Sequence, residues 1–131
     1  MKLLLDTHIF IWFLAGDTRL SPSDRALIEA PTQQCFVSIV TAWEIAIKMS
    51  LGKLTMQSSF NELFPTQLQA NGMTLLSLEL AHVNKIMTLP FHHRDPFDRL
   101  LIAQAVVDNL VLLSYDSSFN NYDFLRPKNK E

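Results

Sequence analysis

The sequence predicts an α/β domain in three layers, a parallel sheet covered by helices on both faces, and three observations carry that prediction. Short apolar runs recur at 2–5, 35–38, 73–76 and 110–113 without polar alternation, the pattern of strands buried on both faces. Capped or amphipathic helical stretches separate them, which suits parallel strands joined by crossovers. With 131 residues, 48% hydrophobic and 18% charged, the chain has the size and balance of one globular domain, 1–131, ending in a polar tail from about Arg126 to Glu131 that is expected to fray.

Taken in order, Lys2 to Leu5 is the first strand, Asp6 ends it, and Thr7 to Leu14 continues as helix. Ser21 before Pro22 pairs an N-cap with an N1 proline and opens a helix that runs to about Ala30, where Pro31 stops it. Cys35 to Ser38 is the second strand, and an amphipathic helix from Ile39 to Met49 follows, ended by the turn at Gly52. Ser59 to about Ala70 reads as helix, and Asn71-Gly72 turns the chain into a third strand, Met73 to Leu76. Ser77 is a candidate cap for a helix reaching about Thr88, before Pro90. Asp95-Pro96-Phe97-Asp98 supplies an N-cap, an N1 proline and an acid at N3 for a helix to Val107 or Asp108. Leu110 to Leu113 is the fourth strand, followed by Ser114-Tyr115-Asp116.

Composition excludes several functions. Cys35 is the lone cysteine, so neither a disulfide framework nor a cysteine-rich zinc site can form, and the expected compartment is reducing. Gly16, Gly52 and Gly72 stand too far apart for a glycine-rich phosphate loop. Eleven basic against 13 acidic residues give a net charge of −2, so any contact with nucleic acid must be local. Asp6 and His8 interrupt the apolar amino terminus, and the run from Ile9 to Ala15 is too short to span a bilayer, so the expectation is a soluble cytoplasmic protein.

Four carboxylates occupy one kind of place. Asp6 follows strand one, Glu44 lies on the helix after strand two, Asp98 opens a late helix, and Asp116 follows strand four. In open parallel sheets the functional crevice lies outside the carboxyl ends of the strands, where these acids can converge. Each also has an ordinary structural use: Asp6 and Asp116 as N-caps, Glu44 in a Thr41 capping box or an i,i+4 pair with Lys48, Asp98 as complement to a helix dipole. If Ser38 caps the third helix, Glu44 satisfies no terminal amide; with Asp95 as cap, Asp98 is likewise left over. Two unit charges about 6 Å apart at an effective dielectric near 20 repel by roughly 3 kcal/mol. Six such pairs rival a typical domain's stability of roughly 5 to 15 kcal/mol, so a cluster of this kind implies cations. Carboxylates and water suit Mg²⁺ or Mn²⁺, which acidify and orient water for attack on phosphorus. The implied reaction is phosphodiester hydrolysis.

Four ordered blocks carry a resemblance: Leu4-Leu5-Asp6-Thr7-His8, Val37 to Lys48 with Thr41-Ala42-Trp43-Glu44 inside it, Arg94-Asp95-Pro96-Phe97-Asp98-Arg99 through Ala105, and Leu113 to Phe119. Together they resemble a PIN domain, most nearly the VapC toxins of type II toxin–antitoxin modules, from about Lys2 to Leu125. The resemblance implies a three-layer α/β/α PIN-like fold with a central parallel sheet of four or five strands, and a metal-dependent endoribonuclease. It implies that Asp6, Glu44 and Asp98 are the core acids, Asp116 a more variable fourth, and Ser114 a supporting hydroxyl, with Thr7 beside them. It further implies a homodimer and an antitoxin partner whose carboxyl-terminal segment occupies the active-site groove.

Lys48, Lys53, Arg94 and Arg99 are the bases nearest these acids in sequence and are candidates for RNA phosphates, against the plain alternative of solvated surface charge. His8, His92 and His93 lack zinc-type spacing, and the latter two are expected in a loop. The first helix is apolar on nearly every side, from Ile9 to Leu14, which predicts deep burial or a shared face. Two rivals remain: a catalytically silent PIN-like interaction module, and a small phosphatase using Asp6 as nucleophile, which lacks a second aspartate where His8 stands.

Overall fold

A computed structural model describes residues 1–90 and 95–116. β1 (Lys2–Leu5) leads into α1 (Thr7–Ala15) and α2 (Pro22–Glu29); β2 (Gln34–Ser38) runs straight into α3 (Ile39–Ser50). A distorted helical segment, Glu62–Gln67, and the short α4 (Leu68–Ala70) precede β3 (Thr74–Leu76). Then come α5 (Leu80–Lys85), a tight turn at Ile86–Thr88, α6 (Pro96–Val107) and β4 (Val111–Leu113).

The strands form one parallel sheet in the order β3-β2-β1-β4. Leu5 pairs with Val37 on one side and Leu113 on the other, so the carboxyl ends of the three strands finish level. The pleat sorts β1 into both cores. Leu3 and Leu5 pack with Ile9, Phe10, Val37 and Ile45 on one face, whereas Leu4 packs with Leu101, Ile102 and Leu112 on the other. Burying each such side chain contributes about 1.5–3 kcal/mol. Helices on both faces of a parallel sheet are the three layers expected, with four strands among the described residues.

Local chemistry explains the element starts. The Ser21 hydroxyl accepts from the Asp24 amide at 3.1 Å, with Pro22 at N1, and Asp95 Oδ1 accepts from the amides of Phe97 at 2.8 Å and Asp98 at 3.2 Å. Gly16, at φ 65°, ends α1 and turns the chain toward Arg19. Asn109, at φ 56°, makes the corresponding turn from α6 into β4.

Two helices differ from expectation. The helix expected over 59–70 is broken at Phe64, whose φ −128° and ψ 117° are the extended values that a following proline imposes. The helix expected after Ser77 starts later, with Glu79 as N-cap. Ser77 instead spends its hydroxyl on Glu79 Oε2 at 2.9 Å and its carbonyl on Gln104, and the Glu79 amide donates to His82 Nδ1 at 2.9 Å. The first helix is buried through Ile9, Phe10 and Phe13, while Ile11, Trp12 and Leu14 pack at the core's margin. No helix among the described residues is long and apolar enough to cross a membrane. The polar tail, Arg94, His92, His93 and the block after Asp116 lie outside the described residues.

Candidate active site

The ends of β1 and β4 bring Asp6 and Asp116 to one edge of the sheet. Asp6 caps α1, its Oδ1 accepting from the Ile9 amide at 2.8 Å. Its other oxygen accepts from the Ser114 hydroxyl just beyond β4, and Ser114 Oγ accepts in turn from the Asp116 amide at 3.1 Å. One hydroxyl therefore ties residue 6 to residue 116 across the β1–β4 pair. Asp6 is only 7% exposed. Burial raises its carboxyl above the ordinary range; the Ser114 and Ile9 hydrogen bonds and the nearby His8 oppose that, and the charge of Asp116 adds to it.

Glu44 reaches the same region from α3. Ser38 is the cap, accepting from the Val40 amide at 2.9 Å, so Thr41 is not the start of a capping box and Glu44 falls in the second turn. Thr41 is buried and its hydroxyl lies 3.1 Å from that of Thr7. The Thr7 hydroxyl donates to Glu44 Oε1 at 2.8 Å, and Lys48 Nζ donates to Oε2 at 2.8 Å. The surface ion pair weighed from sequence is thus present on a carboxylate that is itself buried, 8% exposed.

Asp98, at the start of α6, is half-buried and its carboxyl is pushed up to about 7. Burial is the largest cause, followed by the charges of Asp95, Asp116, Glu44 and Asp6. All four predicted acids therefore share one electrostatic neighbourhood, at the carboxyl end of a parallel sheet. Among the described residues, no three Asp, Glu, His or Cys side chains stand close enough to hold one ion as they are.

The model of one protein family, the PIN domain, matches residues 3–125. The chain belongs to the PIN domain family. A toxin–antitoxin complex from Klebsiella pneumoniae contains a similar chain, with a TM-score of 0.65, 16% identity, and coverage of 95% of this chain and 96% of that one. At that identity the likeness speaks for the fold. No curated protein sequence matches.

Around the acids of this PIN domain the bases are unevenly placed. Lys48 is committed to Glu44, and Lys53 is exposed in the turn after α3. Arg99 points elsewhere, donating to the carbonyls of Ile86 at 3.0 Å and Pro90 at 3.3 Å. Sequence reasoning missed Arg19. It lines a cleft of about 340 Å³ with Asp6, His8, Trp12, Tyr115 and Asp116. It also missed Gln104, fully buried on α6, which accepts from the Ser38 hydroxyl at 2.5 Å and donates to the Ser77 carbonyl at 3.3 Å. A glutamine amid an apolar helical run was the available signal, since a buried amide needs partners.

Proposed function

We propose that this PIN domain is a metal-dependent endoribonuclease and the toxin of a type II toxin–antitoxin pair, acting in the cytoplasm as a homodimer held in check by a cognate antitoxin. The observation that carries the reading is the position of Asp98, a carboxyl raised to about 7 by burial and by four other acids, where a solvated surface acid would have no reason to be. The likeness to a chain of a toxin–antitoxin complex supports the antitoxin partner. The donors are carboxylate oxygens, Cys35 lies in the apolar core rather than among them, and the histidines lack zinc-type spacing, a set that fits Mg²⁺ or Mn²⁺.

In this reading Asp6, Glu44, Asp98 and Asp116 hold one or two such ions. When bound, the ion acidifies and orients water for in-line attack on the RNA phosphate and offsets charge on the leaving oxygen. The chain's own work is to fix the donors. Ser114 holds one oxygen of Asp6, Thr7 holds one oxygen of Glu44, and Asp95 takes over capping of α6 so that Asp98 is not needed there. Lys53, Arg94 and Arg99 are retained as candidate phosphate contacts of lower rank than the acids.

The test is cleavage of single-stranded RNA by protein freed of antitoxin, in Mn²⁺ and in EDTA. Cleavage should need the metal and vanish in Asp6→Asn with the fold retained. Equal cutting by Asp6→Asn would refute the assignment. The interaction-only reading has one observation in its favour, the Lys48 ammonium already seated on Glu44; it predicts metal binding with no cleavage at all.

A further inference from the structure

The cleft beside Asp6 and Asp116 has a second wall that metal chemistry does not use. Trp12 is its centre. The Arg19 guanidinium carbon lies 5.0 Å from the Trp12 ring centroid, and the rings of His8 and Tyr115 each stand 5.8 Å from it, tilted by 38° and 46°. The wall is built rather than accidental. Gly16 turns the chain back after α1, Asp17 then holds Arg19 through Nη2 at 2.7 Å and Nε at 3.2 Å, and Tyr115 is fixed by its hydroxyl to Asp24 and Ser21. Nη1 of Arg19 carries no hydrogen bond among the described residues, and the side chain is 69% exposed. His8 is exposed on the same side.

From this geometry we infer that the His8–Trp12–Arg19 wall is a nucleotide subsite: it stacks one unpaired base of single-stranded RNA next to the acids, with the Arg19 guanidinium on that nucleotide's phosphate. A cleft of about 340 Å³ is at the small end of the range for ligand pockets and suits one nucleotide rather than a duplex. Ring faces stack any base, and among the described residues lining the cleft the cation is Arg19, whose Nη1 remains for a phosphate while Asp17 holds Nε and Nη2. An acidic protein with net charge −2 needs such a local anchor. The inference rests on the ribonuclease reading for its biological sense, but its test does not.

Trp12 and Trp43 are the two tryptophans, so Trp43→Phe leaves Trp12 as sole reporter. In EDTA, where nothing is cleaved, a hexaribonucleotide should quench Trp12 emission saturably, and the same backbone with abasic riboses should bind about tenfold more weakly, the loss of one stacked base. Arg19→Ala should weaken the intact hexamer by a similar factor and Arg19→Lys by less, both with unchanged circular dichroism. Equal affinity for intact and abasic strands, or emission unmoved at saturation, overturns the subsite even if the protein cleaves RNA. Quenching by a protein that never cleaves RNA in any metal keeps the subsite and removes only the nuclease.

Discussion

Two polar side chains on α6, six residues apart, are buried in opposite ways. Gln104 is wholly enclosed and neutral, and its amide is satisfied at both ends by Ser38 and Ser77, so it joins β2, α6 and the exit of β3. Asp98 is half-enclosed among like charges, with its carboxyl raised to about 7. The first arrangement is what stability alone selects, because a buried amide with partners costs little. The second costs free energy in the metal-free protein, and groups held so are more often functional than structural.

The largest effect expected from breaking this contrast is in chemistry. Asp6→Asn should lower RNA cleavage in Mn²⁺ by about 10³-fold, the kinetic equivalent of several kcal/mol of transition-state stabilisation, while the midpoint of urea unfolding holds or rises. Gln104→Ala should do the reverse. It strands the Ser38 hydroxyl and Ser77 carbonyl, and should cost about 3 kcal/mol in denaturant titration while leaving Mn²⁺ affinity within about twofold.

Asp98 sharpens the comparison through pH. Its folded carboxyl titrates near 7, above its unfolded value near 3.8, so the protonated form is the one the fold prefers. That stability is complete below about pH 4 and drains away as pH rises to about 7. Thermal unfolding without metal should record a falling midpoint over that window, which Asp98→Asn flattens, gaining about 1 kcal/mol at pH 8 after allowance for solvent screening. Added Mg²⁺ should recover the wild-type loss at pH 8; a midpoint insensitive to both pH and Mg²⁺ would show that the acids do not share a site. The smallest change is expected from Lys48→Ala, which removes an i,i+4 pair between a half-buried ammonium and a carboxylate still bonded to Thr7, and should cost under about 1 kcal/mol.

What the sequence made legible follows the range of the interactions. β1, α1, α2 and α6 announce themselves through caps and prolines a few residues apart, and Asp6, Glu44, Asp98 and Asp116 are readable because strand ends in a parallel sheet share an edge. The break at Phe64 was also local, written in Pro65, and the helical pattern of 59–70 obscured it. The late start of α5 was not local: the preference for Glu79 over Ser77 depends on His82 and on Gln104, 27 residues away from Ser77. Arg19 and Tyr115 meet at Trp12 only because β4 lies beside β1, and no spacing rule relates residues 19 and 115.

The Ser114 bridge between Asp6 and Asp116 makes the order of synthesis matter. A nascent chain carries its first acid from the outset, yet the strand that seats beside it and the hydroxyl that grips it are made more than a hundred residues later. Until translation has passed that point the two acids and the hydroxyl that joins them cannot meet, so in the proposed reading the centre built on them exists only once β4 is in place.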